Sequence, residues 1–283
     1  AAENIIISRL EENGDLHWAK NYYGLLEEKA QRPVSRSLAA LNTAIASDGA
    51  LIHVKGKVKK PILILGIRNN TAEAILHHVI KVEKDCSITL LESGPFAKRL
   101  NSVMEVFLDE GASLEHIRAQ GRDHDRLAVT HVFADIKENA KFKSFTLSAN
   151  GTLTRNECVL TLSGDECAAH VAGASVGDGK SFHHDDTVFI THEAVACESR
   201  QVFKTRRGAH HFAAYFSPCW PQSESRIGLC PDALRWPLLR WRFRNRCSCP
   251  WKAPATVRSA CLRMRLSLRT VFENEGGNFR AGV

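Results

Sequence analysis

The segment Asp109-Glu110-Gly111-Ala112-Ser113-Leu114 joins a polar turn to a small residue and then to the start of a strand. The same order of residue types recurs at residues 83–88, 137–142, 163–168 and 191–196. The small or modest apolar residues of the five segments lie 26, 28, 27 and 28 positions apart, at Cys86, Ala112, Ala140, Cys167 and Val195. This near-constant spacing is the pattern that decides the fold class.

A repeat of about 27 residues is typical of stacked supersecondary units. Turn clusters interrupt each unit every six to ten residues, which leaves room for two or three short strands and none for a helix. Stacked β coils satisfy this pattern. An antiparallel sandwich has turns about every 8–12 residues, but it has no reason to repeat one turn at constant spacing. The sequence therefore predicts a mainly β protein, a parallel β-helix (β-solenoid), with a sandwich as the alternative.

Two helices are expected upstream of the repeats. Residues 8–30 are polar, with apolar residues at helical spacing. A second helix is expected from Leu38 to Ala46, with Ser35 or Ser37 as its N-terminal cap. Because a solenoid needs its ends covered, these helices are predicted to cap one end of the stack.

Residues 205–283 differ in composition from the rest of the chain. The net charge is +7, but residues 1–204 carry 24 Lys and Arg against 27 Asp and Glu, a net of −3, while residues 205–283 carry 14 against 4, a net of +10. The predicted domains are an N-terminal helical flank at 1–49, a β-helix core at 50–204 and an irregular basic tail at 205–283. Because the tail has no helical or strand periodicity, it is expected to be disordered, and we interpret it as a non-native, out-of-frame continuation of the gene.

Two alternative functions follow from composition. Arginines alternate along residues 240–246, with Trp236 and Trp241 interleaved, a combination that can bind single-stranded nucleic acid. A carbohydrate-active β-solenoid is the other alternative, since long β-helices can bind polysaccharides along one face. Residues 1–204 contain a single tryptophan, Trp18, which disfavours a row of aromatic platforms for sugars. The acidic balance of residues 1–204 likewise makes nucleic acid an unexpected partner.

The densest group of potential metal ligands comprises His183, His184, Asp185, Asp186, His192 and Cys197. Its spacing matches no established zinc motif, so hydrogen-bonded strand and turn positions are favoured over a metal site. A stretch with Gly173, Gly177 and Gly179 matches no phosphate-binding loop and is interpreted as a flexible connection between coils. No catalytic motif is recognisable, so no catalytic, cofactor-binding or metal residue is assigned.

Cysteine usage and hydropathy indicate the compartment. Residues 1–204 contain four widely spaced cysteines without a C-x-x-C pair, which we interpret as small buried residues in a reducing compartment: Cys86, Cys158, Cys167 and Cys197. No run of about 18 apolar residues is present, so no membrane span is expected. The apolar run Ile5-Ile6-Ile7 is too short for a signal peptide. A cytoplasmic location is expected.

Three segments carry a resemblance to a known family. They are Leu41-Asn42-Thr43-Ala44 through Ser47-Asp48-Gly49-Ala50, then Lys60-Pro61-Ile62, and finally residues 197–204, which match the pattern C-x-S-R-Q-x-x-K. Over about residues 1–204 the chain resembles the SufB/SufD family of the SufBCD iron–sulfur cluster assembly complex, SufD more than SufB. The positions that match the family motif, with expected roles in packing and turn hydrogen bonding, are Asp186, Thr187, His192, Cys197, Ser199, Arg200, Gln201 and Lys204.

The resemblance implies a right-handed parallel β-helix with flanking helices, in agreement with the 27-residue period. It also implies a scaffold rather than an enzyme, working with a SufB-type β-helix subunit and a SufC-type ATPase. No cofactor is expected to bind stably, although a transient Fe–S cluster is expected in the assembled complex. The family's later coils, an acidic Y-A-D-D-type segment and its C-terminal helices are not recognisable in residues 205–283. Assembly is therefore expected to be impaired in this chain.

Overall fold

The protein is a two-sheet β-solenoid. The computed structural model describes residues 4–11, 17–67, 72–94, 96–121, 123–177, 182–206, 209–217 and 239–246. After the first strand, successive strands alternate between sheet A and sheet B, so that each coil of the chain adds one strand to each sheet. The mainly β, parallel solenoid predicted from the 27-residue repeat is confirmed.

Within the described ranges, sheet A has eight strands and sheet B has seven. Sheet A contains, in spatial order, β1 (Ile5–Arg9), β2 (Ala50–Val54), β4 (Glu73–Val82), β6 (Arg99–Leu108), β8 (Leu127–Ile136), β10 (Leu153–Leu162), β12 (His183–His192) and β14 (Ala209–Ser217). Sheet B contains β3 (Ile62–Leu65), β5 (Ser87–Gly94), β7 (Ser113–Gln120), β9 (Lys141–Ala149), β11 (Ala168–Val176), β13 (Glu198–Arg206) and β15 (Leu239–Arg246). Neighbouring strands are parallel except for the pairs β1–β2 and β13–β15.

One tight turn before each of the sheet B strands β5, β7, β9, β11 and β13 explains the sequence repeat. A residue with positive φ precedes a buried small residue in every such turn, at Asp85, Gly111, Asn139, Glu166 and Ala196. The small residues that follow form a buried ladder, at Cys86, Ala112, Ala140, Cys167 and Cys197. The fifth repeat position is thus Cys197, and its assignment to Val195 was wrong. The last step is 30 residues because the β11–β12 connection spans 177–182, three residues more than the β9–β10 connection at 150–152.

Gly173 lies inside a strand rather than in a connection between coils. It belongs to β11, where an added Cβ would lie only 2.6 Å from the Phe203 ring, so glycine leaves room for that ring. Gly177 directly follows β11, and Gly179 lies outside the described residues. The interpretation of this stretch as one flexible loop was therefore wrong for Gly173.

The N-terminal region was predicted as two helices, and the first is confirmed only in part, as two short helical segments within residues 17–30. Residues 5–9 form β1, which pairs antiparallel with β2 and covers the first edge of sheet A. A 3₁₀ helix at His17–Asn21 and the short α1 (Leu25–Ala30) follow, separated by Gly24 with φ of 75°. The second helix, α2 (Ser37–Ile45), is present where it was expected.

The helices lie on the face of sheet A, not on the end of the solenoid. Leu26 and Ala30 pack with Phe107, Phe133 and Val159 of sheet A in a second apolar cluster, outside the solenoid. The expected capping of the stack by helices is therefore wrong, and β1 covers that end instead. Packing of the helices on the face of sheet A is favoured over packing on the end of the solenoid, because the outward residues of sheet A are large and apolar and must be shielded from water.

The predicted serine cap of α2 is also absent. The residue before the helix is Arg36, without a side-chain hydrogen bond to the helix backbone. Its buried guanidinium turns instead to Glu157 on β10, with Nε 2.6 Å from Oε1, and donates to the carbonyl of Val34 at 2.9 Å. The ion pair between Arg36 and Glu157 of sheet A therefore holds the start of α2 in place.

Glu105 on β6 holds the start of α1 against sheet A. Its fully buried carboxylate accepts hydrogen bonds from the backbone N–H groups of Gly24, Leu26 and Glu27, at 2.5, 2.7 and 3.0 Å. His77 on β4 donates to the same carboxylate from Nε2 at 2.9 Å. One side chain thus satisfies three helix-terminal donors that would otherwise be buried without a partner.

The predicted domain limits fall at identifiable places in the fold. Residue 50 is the first residue of β2, and residue 204 lies within β13. The region predicted as tail contributes β14 and β15 to the sheets, and the remaining residues from 207 onward lie outside the described residues. Its disorder and its out-of-frame origin stay predictions.

Candidate functional site

The interior of the solenoid has an apolar half and a polar half. The apolar half is built by large aliphatic and aromatic side chains such as Leu90, Met104 and Phe142. Towards the carboxyl ends of the sheet B strands, inward positions become polar because alternate residues of a strand share a face. We call this polar half the inner polar cluster, which comprises Glu92, His116, Arg118, Gln120, Thr130, Ser144, Ser148, Asn156 and Asp186.

A buried ion pair lies at the centre of the inner polar cluster. Arg118 on β7 donates from Nε to Oε2 of Glu92 on β5 at 2.8 Å, and the two side chains are 3% and 2% exposed. His116 donates from Nε2 to the same oxygen at 3.1 Å. Ser144 on β9 donates its hydroxyl to Nδ1 of His116 at 3.2 Å. Three successive strands of sheet B thus share one charged network.

The network crosses from sheet B to sheet A. Arg118 donates from Nη1 to Oγ1 of Thr130 at 2.9 Å, and Thr130 donates in turn to Oδ1 of Asn156 at 2.8 Å. Asn156 donates from Nδ2 to Oδ1 of Asp186 at 2.8 Å. Gln120 adds a hydrogen bond to Oδ1 of Asn156 at 2.9 Å. The chain of polar contacts therefore joins the two sheets through the middle of the solenoid.

A cavity of about 30 Å³ adjoins the inner polar cluster, between Arg118, Ser144, Asn156 and Asp186. Nη2 of Arg118 has no hydrogen-bond partner among the described residues. A polar cavity of this size has room for about one water molecule. Cys158 also borders the cavity, and burial raises the pKa of its thiol to about 12. The thiol is therefore protonated at neutral pH and is a weak nucleophile there.

Burial and pairing set the charges in the cluster. Burial alone would raise the pKa of Glu92, but the charge of Arg118 and the hydrogen bond from His116 hold that pKa below its usual value. Burial lowers the pKa of His116, and its hydrogen bond to Glu92 offsets only part of this effect. At neutral pH Glu92 is therefore a carboxylate beside the Arg118 guanidinium, and His116 is a neutral imidazole.

The motif residues divide between the two faces of their strands. Ser199 and Gln201 on β13 are fully buried and inward, and Asp186 on β12 belongs to the inner polar cluster. His192, at the end of β12, lies with Nε2 3.0 Å from the Ser199 hydroxyl. The other motif residues are at least partly exposed on the outward faces: Thr187, Arg200 and Lys204.

Cys197 is a member of the buried turn ladder and contacts the previous coil. Its Sγ lies 3.5 Å from Sγ of Cys167, and it is fully buried. The hydrogen bond to Cys197 and burial both raise the pKa of the Cys167 thiol, so this thiol is protonated at neutral pH. None of the four cysteines of residues 1–204 forms a disulfide, and all four are buried, as the sequence predicted.

The candidate metal ligands alternate between opposite faces of β12. His184 and Asp186 are buried and inward, while His183 and Asp185 are partly exposed and outward. Among the residues whose placement is described, no three His, Cys, Asp or Glu side chains converge in a way that could hold a metal ion. The ligands therefore do not form one group.

The sequence prediction missed the inner polar cluster except for Asp186. The sequence did indicate this cluster, because strand alternation assigns three polar residues to the interior: Glu92, His116 and Arg118. Polar residues at inward positions of neighbouring repeats are expected to meet because the coils stack in register. Aligning the repeats by their turns would have brought these three residues together.

Acid is expected to destabilise the fold between about pH 6.5 and pH 4. Burial lowers the pKa of His78 to about 4, and burial with the nearby charge of Arg36 lowers that of His131 to about 4. The unfolded chain binds protons at these histidines near pH 6.5, whereas the folded chain does not, so stability is full above that pH and falls below it. Met104 on β6 is the strand partner of His78 on β4, so His78→Met places the same residue type on both strands. In this variant the free energy of unfolding is expected to fall less steeply with decreasing pH, by up to about 1.4 kcal/mol per pH unit. Urea unfolding midpoints at pH 7.5, 6 and 5 measure how the free energy of unfolding depends on pH. Equal dependence in the variant and the parent would contradict the role assigned to His78.

Comparison with protein-family models gives a match that covers the solenoid from β4 to β13. Residues 66–207 match the SufBD core domain of the SUF system for FeS cluster assembly. The chain belongs to the SufB/SufD family. No curated protein matches the chain. Within the described part of the chain, no helix is both long and apolar enough to cross a membrane.

The SufBD core match includes the entire inner polar cluster. It begins just after β3, contains β4 to β13, and ends at residue 207, three residues after Lys204. The family assigns the protein to Fe–S cluster assembly and to a Suf complex in general. The resemblance noted in the sequence is thereby confirmed at the level of the SufB/SufD family.

Proposed function

We propose that the protein is a SufD-like scaffold subunit that works with a SufB-type β-helix subunit and a SufC-type ATPase in the cytoplasm. The observation that carries this proposal is the SufBD core match over residues 66–207, which falls on the stacked coils. The SufD assignment rests on the resemblance carried by residues 41–50, 60–62 and 197–204. In this proposal the Fe–S cluster is transient cargo of the assembled complex and not a resident cofactor.

A structural role for the motif residues supports a scaffold. Ser199 and His192 contact each other across the turn between β12 and β13, and Cys197 contacts the preceding coil through Cys167. The buried charges of Glu92 and Arg118 compensate each other, as expected of a network that fixes the register of stacked coils. We propose that the protein is not itself an enzyme and that the motif residues hold the coil of β12 and β13 in place.

We also propose that residues from about 205 onward are an out-of-frame continuation that impairs assembly. Two observations support this. The family match stops at residue 207, and the parallel order of sheet B stops at β13, whose next neighbour β15 is antiparallel. Resequencing the gene tests the proposal: a clean frame, with no strand-rich product in the other frames, would contradict it.

Co-expression with SufB- and SufC-type partners, followed by affinity purification, tests the scaffold role. The chain as it stands is compared with a version in which residues 205–283 are replaced by an in-frame SufD C-terminal region. The repaired chain is expected to recover both partners, and the present chain is expected to recover less of the ATPase.

The outcomes separate the two proposals. Failure of the repaired chain to bind either partner, with a folded far-UV spectrum, would overturn the scaffold assignment. Equal recovery of both partners by the present chain would leave the scaffold role intact and overturn the impairment. A matched control is Thr152→Ala, which removes only an exposed hydroxyl contact to the carbonyl of His124 and should leave both yields unchanged.

A further inference from the structure

The first strand of sheet B leaves one edge of that sheet open. Within the described residues β3 pairs with β5 alone, whereas the corresponding edge of sheet A is covered by β1. One hydrogen bond fixes the orientation of the β3 backbone, because Gly66 N–H donates to the carbonyl of Ser93 at 2.8 Å. In a parallel ladder alternate residues direct both backbone groups to the same neighbour, so Gly66 and Ile64 face β5. Leu63 and Leu65 therefore direct their N–H and C=O groups to the open edge.

Pro61 is consistent with this orientation. It lies two residues before Leu63 and therefore faces the same side of the chain. Proline has no backbone N–H, and it is tolerated on the side of an edge strand where no neighbouring strand needs a donor. Among the described residues no strand lies on that side of β3. An open edge of this kind is a template for one more strand.

The outward side chains along the open edge are large, apolar and exposed. Leu63, Leu65 and Ile67 are 54%, 57% and 72% exposed, and the last value is the highest for any large apolar residue in the described part of the chain. Ile62 and Ile64 alternate with them and pack against the solenoid core. An extended segment added to β3 would cover this apolar strip and would also satisfy the backbone groups of the edge.

A cluster of lysines precedes β3. Residues 50–67 contain four lysines and no Asp or Glu, although residues 1–204 as a whole carry a net charge of −3. All four are exposed and have no ion-pair partner among the described residues: Lys55, Lys57, Lys59 and Lys60. Lysines beside an edge strand disfavour its pairing with an identical edge, because like charges would meet. The same charges favour a segment that carries acidic residues.

We propose that β3 binds an extended acidic segment of a partner protein as an additional strand of sheet B. Apolar residues at every second position of that segment contact Leu63 and Leu65, and its acidic residues lie beside Lys59 and Lys60. Lipid headgroups and nucleic acids also attract lysines, but neither offers alternating N–H and C=O groups at strand spacing. The contact concerns only the first edge of sheet B, so it does not depend on the proposed function.

Fluorescence anisotropy of a labelled peptide added to the full chain tests the proposal. The probe has ten residues, three aspartates followed by alternating valine and threonine, and a second probe has the reverse order to allow for either strand direction. One of them is expected to bind with a Kd of about 50 µM in about 50 mM NaCl. The same peptide with lysine in place of aspartate is expected to bind at least about 10-fold more weakly. Failure of both acidic probes to bind below about 1 mM would overturn the proposal.

Methylation of the peptide backbone separates strand addition from attraction of charge alone. In an added strand alternate amides donate to β3, and the remaining amides point away from it. N-methylation of the first set is expected to weaken binding at least about 10-fold, and N-methylation of the other set is expected to change it by less than about 2-fold. Leu63→Pro removes an N–H group at the open edge and is expected to weaken binding as strongly as the first set. Equal effects of the two methylated sets would rule out strand addition, whether or not the Leu63 variant folds.

Charge reversal locates the site on the protein. Lys59→Glu combined with Lys60→Glu is expected to weaken binding of the acidic probe at least about 10-fold, because repulsion replaces attraction. The matched control combines Lys20→Glu with Lys29→Glu, which changes the net charge equally at two exposed lysines of the helical flank. The control is expected to change the Kd less than about 2-fold. Equal losses in the two double variants would show general attraction by net charge and would contradict a site at β3.

The same variants distinguish other ligands of the lysine cluster. Vesicles of phosphatidylcholine with about one quarter phosphatidylserine, and a single-stranded DNA oligonucleotide, are each added to the parent and to the variant with Lys59→Glu and Lys60→Glu. Neither is expected to bind the parent more tightly than the acidic peptide does. Tighter binding of either one that the double reversal abolishes would assign the cluster to lipid or nucleic acid and overturn the proposal. Self-association of the parent that the acidic peptide does not disrupt, but Leu63→Pro does, would assign the edge to a second copy and overturn it as well.

Discussion

Replacing Arg118 by alanine is expected to lower the free energy of unfolding by about 3–5 kcal/mol. The substitution leaves the Glu92 carboxylate buried in the solenoid without the cation that compensates it. It also removes the hydrogen bond to Thr130, which links sheet B to sheet A. Urea denaturation of the full chain at pH 7.5, followed by far-UV circular dichroism, measures the loss.

Lys143→Ala provides the matched control for Arg118→Ala. Lys143 pairs with Glu115 between the neighbouring strands β9 and β7, but both side chains are about half exposed, so the loss is expected to stay below about 1 kcal/mol. Adding Glu92→Gln to Arg118→Ala removes the uncompensated charge and is expected to restore part of the stability. Equal losses for the Arg118 and Lys143 variants would show that the buried pair does not hold the coils together.

Glu105→Ala is expected to release the helical flank from sheet A. Three backbone N–H groups, those of Gly24, Leu26 and Glu27, lose a buried acceptor at a cost of about 1 kcal/mol or more each. A total of about 3 kcal/mol corresponds to roughly 100-fold more frequent local opening. Trypsin cleavage after Lys29 is expected to accelerate by about that factor.

Cleavage sites within the solenoid give the internal reference for this measurement. Cleavage after Lys143 is expected to change far less than cleavage after Lys29, because Glu105 contacts the flank and not sheet B. Glu73→Ala is the matched variant, since Glu73 lies on the neighbouring strand β4 and pairs with Arg99 at the surface. An unchanged flank in Glu105→Ala, or equal acceleration in Glu73→Ala, would contradict the anchoring role.

The coil repeat could be predicted from the sequence because its causes are local. A turn with one left-handed residue and one buried small residue recurs before each strand, and both requirements act within a few residues. Strand alternation between the turns is equally local. The misplacement of the fifth turn by two residues arose where a longer connection broke the spacing, between β11 and β12.

The position of the helical flank could not be predicted in the same way. Helical spacing shows that a segment has an apolar side, but it does not show which surface covers that side. Arg36 is hydrogen-bonded to Glu157, which lies 121 residues further along the chain. Gly24 is hydrogen-bonded to Glu105, which lies 81 residues further along. Contacts of this range exist only once the coils have stacked, so the flank was placed on the wrong surface.

The sequence by itself determined the solenoid, its approximate coil length and its membership of the SufB/SufD family. All three rest on the repeated turn and on short segments such as 197–204, whose information is contained in neighbouring residues. The tertiary structure alone decided that Glu92, His116 and Arg118 meet in one buried cluster and that Ile117 and Phe145 share an exposed row. The physical reason is register, because residues about 26 to 30 positions apart become neighbours only when stacked strands pair, and a shift of one residue would exchange the buried and exposed faces.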